Sequence, residues 1–254
     1  MLLCIDIGNT HIKFGLFDGE NLCCQWRIAT DRSRLADEYA MLLFSLLEAS
    51  GLKPSVITGC AISSVVPALT QEFGELSRRL LKLEAMIITP ETNSGLHIDI
   101  DYPAELGSDL VANAVGARLL YGTPLIIIGY GSATTFTAVT SAGAISGVAI
   151  APGIATGAES LFRATATLPQ VALQRPKRAI GKNSIESMQS GLIFGFAALT
   201  EGLVKRMQAE LDAPARVIAT GGLANRIAPE TTIFDAVEPD LTLIGIKRIY
   251  EINQ

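Results

Sequence analysis

The sequence contains few of the residues that usually bind transition metals. Its 254 residues include only two histidines, His11 and His97, and neither has a Cys or His partner at metal-ligand spacing. The four cysteines are Cys4, Cys23, Cys24 and Cys60. None of them has the C-x-x-C spacing of a zinc site, so we expect reduced thiols in a cytoplasmic protein.

Charged residues are also scarce, and no long basic run occurs. Lys, Arg, Asp and Glu make up 18% of the sequence, and the net charge is −5. Because nucleic-acid binding needs clustered Lys and Arg, the composition argues against a nucleic-acid partner. No stretch reaches the roughly 18 apolar residues of a membrane span, and Asp6 comes too early for a signal peptide. We therefore expect no membrane partner.

Three glycine-marked polar turns each follow an apolar, strand-like run. They are Asp6-Ile7-Gly8-Asn9-Thr10, Gly129-Tyr130-Gly131-Ser132-Ala133-Thr134-Thr135 and Thr220-Gly221-Gly222. Phosphates are well bound by backbone N–H groups, and glycine lets the backbone approach them closely. The first two turns lie about 120 residues apart in similar patterns. This layout predicts two related halves that bind the phosphates of a nucleotide.

Apolar periodicity predicts the same β-β-β-α order in both halves of the chain. The first half contains strands at 2–5, 12–17 and 22–29, a helix at 35–50, a strand at 56–62 and helices at 67–82 and 111–120. The second contains strands at 125–128, 136–139 and 144–150, a helix after residue 153, a long helix opened by residues 183–186, a strand at 216–219 and a helix at 240–251. We predict a duplicated α/β ribonuclease H-like fold of the acetate and sugar kinase, Hsp70 and actin superfamily, with domains 1–117 and 118–254.

The polar residues of the three turns are candidates for binding a nucleotide. Asp6, at the end of a buried strand, could hold Mg²⁺, with Gly8, Asn9 and Thr10 offering backbone amides to a terminal phosphate. The alternative is a hairpin turn capped by asparagine. Further candidates are Lys13 for a phosphate, Gly131 and Ser132 for phosphate oxygens, and Thr220, Gly221 and Gly222 for the adenosine. Their alternatives are an exposed strand lysine and ordinary polar turns.

Asp109 is a candidate general base. It stands in Gly107-Ser108-Asp109, just before a predicted helix whose dipole favours an ionised carboxylate. In a kinase, such a carboxylate could accept the proton of the attacking hydroxyl. The alternative is a first-turn acid with no catalytic role.

These motifs resemble those of the type III pantothenate kinase family, in order and over nearly the whole chain. The matching segments are residues 6–10, 63–67, 103–109, 113–114, 131–136, 151–154, 165–169, 181–184, 189–191 and 220–222. The resemblance implies ATP-dependent phosphorylation of pantothenate, the first step of coenzyme A synthesis, by a homodimer. It assigns Asp6 to Mg²⁺ and phosphate, Asp109 to base catalysis and Ser132 to ATP. Pantothenate would contact Ser184 and the segment Gly107-Ser108-Asp109-Leu110.

The sequence departs from the family pattern at four positions. Leu110 replaces an arginine, and Gly129 replaces an aspartate that binds a monovalent cation, K⁺ or NH₄⁺, in the family. Thr137 stands where an acid is expected and Ile100 where a tyrosine is expected. Two alternatives follow: a nucleotide or pantothenate sensor with impaired catalysis, similar to the Bvg accessory factor of this family, or a kinase for another hydroxylated acceptor.

Overall fold

The computed structural model describes residues 1–254 and divides the chain into two compact units. Unit 1 comprises Met1–Leu96, Asp101–Leu119 and Leu241–Gln254, and unit 2 comprises His97–Ile100 and Leu120–Asp240. These units differ from the predicted domains 1–117 and 118–254, because the C-terminal segment packs with the N-terminal unit. No helix has the length and apolar character needed to cross a membrane.

The elements follow the chain in the predicted alternation of strands and helices. The strands are β1 (Leu2–Ile7), β2 (His11–Asp18), β3 (Asn21–Ala29), β4 (Gly59–Ser64), β5 (Met86–Ile88), β6 (His97–Ile98), β7 (Leu125–Tyr130), β8 (Ala133–Val139), β9 (Ala144–Pro152), β10 (Arg216–Thr220) and β11 (Ala236–Val237). The helices are α1 (Ala36–Ala49), α2 (Pro67–Leu76), α3 (Ser108–Tyr121), α4 (Ile154–Ala164), α5 (Ser184–Glu210), α6 (Ala224–Ile227) and α7 (Leu241–Ile252).

The two sheets share one topology, which confirms the duplicated ribonuclease H-like fold. In unit 1 the strand order is β3-β2-β1-β4-β5, with β1, β2 and β3 antiparallel and β4 and β5 parallel to β1. In unit 2 the order β9-β8-β7-β10-β11 repeats the same directions. Strand β6 adds to this second sheet, parallel to β9.

The sheet of unit 1 is covered on both faces. Alternate residues of β1 and β2 point toward α1 and α2. Phe14 and Phe73 are fully buried there, and the tilted ring of Tyr39 packs against Phe73 with 4.7 Å between ring centroids. The opposite face packs against α7. A Cβ on Gly245 of α7 would lie 1.7 Å from the carbonyl oxygen of Ala112 in α3, so a glycine is needed where these two helices cross.

Several predicted boundaries differ from the observed ones for local reasons. The strand predicted at 56–62 starts at Gly59, because Pro54–Val56 form a 3₁₀ turn. The helix predicted at 67–82 is α-helical to Leu76 and continues as a π turn, Ser77–Leu81. The strands β5, β6 and β11 were not predicted, since segments of two or three residues are too short to show alternation.

Candidate active site

Asp6 lies at the end of β1 in unit 1, beside two polar neighbours. In the sheet register it pairs with Lys13 of β2 and with Ser63 of β4, and residues paired in this way point to the same face. Burial raises the pKa of Asp6 to about 7; the positive charge of Lys13 opposes this shift, and the negative charge of Asp109 adds to it. The side chain therefore sits where a bound cation would restore its ionised form.

The turn after Asp6 is held by the segment that follows β3. The Gly8 N–H donates to the carbonyl oxygen of His11 at 3.0 Å, which closes the turn. Thr30 donates from its backbone N–H to the Thr10 carbonyl at 3.0 Å and from Oγ1 to the Gly8 carbonyl at 2.7 Å. Asn9 and Thr10 are exposed. The predicted phosphate turn is thus rigidly placed and open to solvent.

Asp109 lies in the first turn of α3, and a serine pair fixes the start of this helix. Ser108 Oγ lies 2.9 Å from Ser63 Oγ and accepts from the Ser64 N–H at 3.0 Å. Burial raises the pKa of Asp109, and hydrogen bonds from the backbone N–H groups of Leu110 and of Asp109 itself lower it. These bonds and the helix N-terminus favour a carboxylate that is desolvated and still able to ionise.

Gly107 leaves room for this carboxylate. A Cβ at Gly107 would lie 2.4 Å from Asp109 Oδ1. A larger residue at this position would therefore shift the carboxylate from where it lies. The neighbouring Leu110 is buried, with 7% of its surface exposed, and contributes to the core.

The predicted second phosphate turn lies in unit 2, at the tip of the β7–β8 hairpin. Gly131 and Ser132 are exposed there; the Gly131 N–H donates to the Ala133 carbonyl at 3.0 Å, and the Ser132 carbonyl accepts from Thr156 Oγ1 at 2.8 Å. Ser184, the predicted pantothenate contact, is the exposed first residue of α5.

Gly129 lies between two threonines of the neighbouring strands. It pairs with Thr135 of β8 and Thr220 of β10, and a Cβ at this position would lie 2.8 Å from Thr135 Oγ1. Thr220 Oγ1 is buried and has no hydrogen-bond partner. The surroundings of position 129 therefore offer neutral hydroxyls in place of a carboxylate.

The predicted adenosine turn follows β10 in unit 2. Gly221 has φ +95°, and a Cβ there would lie 2.5 Å from the Tyr130 carbonyl oxygen, so both conformation and space require glycine. Gly222 is exposed. Thr220 and these two glycines thus stand together at the carboxyl end of β10, next to the end of β7.

The predicted site residues fall into two sets, one in each unit. Unit 1 carries Asp6, the turn Gly8-Asn9-Thr10, Lys13 and the segment Gly107-Ser108-Asp109-Leu110. Unit 2 carries Gly129, Gly131, Ser132, Ser184 and the turn Thr220-Gly221-Gly222. An open groove of about 670 Å³ in unit 2 contains none of them; its lining includes Lys205, Ala215 and Asp235, near the beginning of β10.

The residues of unit 1 fit a magnesium ion bound together with phosphate. No group of three or more His, Cys, Asp and Glu side chains could hold a metal alone. Mg²⁺ is commonly bound by one or two carboxylates and the phosphates of the substrate. Asp6 matches that requirement as the one carboxylate, and the charge of Asp109 interacts with it.

One contact at this turn was missed from the sequence. Arg32 Nη2 donates to Asn9 Oδ1 at 2.7 Å, across 23 residues of sequence. No motif contains both residues, so only the tertiary fold reveals the pair.

The chain is similar to known proteins over its full length. The sequence profile of the type III pantothenate kinase family matches residues 2–206. A type III pantothenate kinase of Roseiflexus sp. (strain RS-1) is 52% identical over 254 residues, covering 100% of both chains. Two solved structures share the fold: a putative 2-dehydro-3-deoxygalactonokinase from Sinorhizobium meliloti (TM-score 0.64, 11% identity, 99% and 96% coverage) and a putative Baf family transcriptional activator from Campylobacter jejuni (0.62, 19%, 99% and 98%).

Proposed function

Because the chain belongs to the type III pantothenate kinase family, we propose that it transfers the γ-phosphoryl group of ATP to the primary hydroxyl of pantothenate. The products would be ADP and 4′-phosphopantothenate, the first intermediate of coenzyme A synthesis. The observation that carries this proposal is that unit 1 holds two desolvated carboxylates, Asp6 and Asp109, whose charges interact, with Asp6 just before the Gly8-Asn9-Thr10 turn.

The two carboxylates have different roles in this proposal. Asp109, held by backbone N–H groups at the start of α3, would accept the proton of the pantothenate hydroxyl as it attacks. Asp6 would hold Mg²⁺, which would neutralise charge on the phosphates. Gly8, Asn9, Thr10 and Lys13 of unit 1 would contact phosphate oxygens. In unit 2, Ser132 and the turn at Thr220 are further candidates for nucleotide binding.

We also propose that turnover needs neither K⁺ nor NH₄⁺. Gly129 supplies no carboxylate for a monovalent cation, and Thr135 and Thr220 beside it carry only neutral hydroxyls. A coupled ADP-release assay with MgATP and pantothenate, in sodium, potassium and ammonium buffers, tests both statements. We expect pantothenate-dependent ADP release at similar rates in all three. Absence of such release in every buffer would contradict the kinase, and a strong response to K⁺ or NH₄⁺ would contradict the cation statement.

Leu110 favours a second candidate, a family member that binds nucleotide or pantothenate without efficient turnover. A buried leucine offers no hydrogen bond to the pantothenate carboxylate, and a hydrogen bond to a charged group contributes roughly 1.5–3 kcal/mol. MgATP binding without ADP release would favour this sensor. ADP release with pantothenamides but not with pantothenate would instead indicate a kinase for a neutral acceptor.

Exposed apolar side chains of unit 2 support a homodimer. Ile180 is 81% exposed, Ile150 71% and Ile185 49%, and Phe162 of α4 is 44% exposed. Contiguous exposed apolar patches mark protein interaction sites, and Ile180 and Ile185 lie on either side of Ser184 in the sequence. We propose that a second copy of the chain covers them, next to Ser184.

Sedimentation velocity tests this dimer. We expect a dimer for the wild type and a shift toward monomer for Ile180→Glu, because burying an unpaired carboxylate in the interface is unfavourable. Met41→Glu is the matched control, since Met41 is 66% exposed in unit 1. A monomeric wild type, or an equal effect of both variants, would contradict the assignment.

A further inference from the structure

The segment that connects β3 to α1 is anchored on both sides of Arg32. Thr30 is bonded to the turn after Asp6 through two hydrogen bonds. The Asp31 N–H donates to the Tyr39 hydroxyl at 3.1 Å, and this hydroxyl donates to the Asp31 carbonyl at 2.7 Å. The Asp31 carboxylate accepts from the Ser33 N–H at 3.0 Å. The backbone at position 32 is therefore fixed next to the predicted phosphate turn.

Arg32 itself is exposed and has no acidic partner. Its one hydrogen bond, from Nη2 to Asn9 Oδ1 at 2.7 Å, uses one of the five N–H donors of the guanidinium. By contrast, the nearby Arg34 pairs with the Asp31 carboxylate at 3.4 Å. An arginine that is oriented by a neutral amide, and not neutralised, keeps its full charge and most of its donors available for an anion.

We propose that Arg32 binds the terminal phosphate of the nucleoside triphosphate at the Gly8-Asn9-Thr10 turn. This inference rests on the proposed function, which makes that turn a phosphate site. Asn9 holds the guanidinium at the edge of the turn, and the planar donors of arginine match two phosphate oxygens at once. Arg32 would add a cation to a site near which β2 already carries Lys13.

Isothermal titration with MgATP, MgADP and adenosine tests the inference. We compare the wild type with Arg32→Gln, which removes the charge, and with Arg32→Lys, which keeps it without the planar fork. For Arg32→Gln we expect MgATP to bind about 10-fold to 100-fold more weakly, as for the loss of a charged hydrogen bond. Adenosine affinity and the thermal midpoint should not change. Arg32→Lys should lose less MgATP affinity than Arg32→Gln. Arg34→Gln is the matched control and should bind MgATP like the wild type.

The possible outcomes separate this inference from the proposed function. Unchanged MgATP affinity in Arg32→Gln overturns it, as does an equal loss for adenosine or for Arg34→Gln. A loss specific to MgATP supports it even when the wild type releases no ADP with pantothenate, a result that would contradict only the kinase. Absence of MgATP binding by the wild type overturns both. A raised KM for pantothenate with unchanged MgATP affinity assigns Arg32 to the acceptor and overturns the phosphate contact.

Discussion

Replacing Asp6 by asparagine is expected to lower turnover strongly and at the same time to stabilise the folded protein. The amide has the shape of the carboxylate but no charge for Mg²⁺ or the phosphates. Because preorganised electrostatic groups of this kind contribute about 10²-fold to 10³-fold to catalysis, kcat/KM should fall by at least that factor. The folded state gains stability because a desolvated charge is removed from the end of β1.

The stabilisation should depend on pH in a definite direction. The pKa of Asp6 is raised to about 7 in the folded protein, against an unfolded value near 3.9. Between these values the folded chain holds a proton that the unfolded chain has released, so the free energy of unfolding falls as the pH rises from about 4 to about 7. This pKa shift lowers the free energy of unfolding by at most about 4 kcal/mol above pH 7. Below pH 4, where Asp6 is protonated in both states, it has no effect on stability.

Urea unfolding of the wild type and Asp6→Asn at pH 4.5 and pH 8 measures this difference without added metal. We expect the variant to be only slightly more stable at pH 4.5 and much more stable at pH 8. Titrating groups that do not interact with Asp6 are the same in both proteins, so their contributions cancel in the comparison. Added Mg²⁺ and ATP should stabilise the wild type more than the variant. Equal stability of the two proteins at pH 8, or a variant with the kcat/KM of the wild type, would contradict the role of Asp6.

The polar turn at Asp6 could be predicted because its signal is local. An apolar run, an acid, a glycine and small polar residues lie within ten positions, and the alternation in residues 12–17 marks the returning strand. The same holds for α5, where Asn183 Oδ1 accepts from the Glu186 N–H at 2.9 Å, as the capping pattern predicts. Such features depend on neighbours in sequence, which periodicity and capping rules describe.

Other features could not be predicted because they depend on tertiary contacts. The closing helix α7 was expected, but its packing with unit 1 rests on the contact of Gly245 with α3 and on the pairing of Lys247 with Glu20 at 2.9 Å, across 227 residues. The contact between Arg32 and Asn9 is of the same kind. Single residues in these pairs carry no pattern, and only the folded chain brings their partners together.

Replacing Asp109 by asparagine is expected to lower kcat by about 10²-fold to 10⁴-fold, the usual contribution of a positioned general base. The amide oxygen can still accept the N–H of Leu110, so the start of α3 should persist. MgATP affinity should stay close to that of the wild type, because the assigned phosphate contacts lie in the turn after β1. Single-turnover kinetics with pantothenate, combined with titration of MgATP, separates chemistry from binding. Normal turnover would contradict the base, and equal loss of MgATP binding would assign Asp109 to the nucleotide.

Gly107→Ala tests the same carboxylate without changing its charge. A Cβ at Gly107 would lie 2.4 Å from Asp109 Oδ1 and must displace it, so kcat should fall while the carboxylate remains. If both changes act on one proton transfer, the double variant should lose little more kcat than Asp109→Asn alone, since the effects of residues that act as a unit are not additive.

Asp109→Asn should also lower the pKa of Asp6, because the charge of Asp109 contributes to raising it. A pKa of Asp6 that is unchanged in a ¹³C NMR titration of its carboxyl carbon would contradict the electrostatic coupling of the two acids.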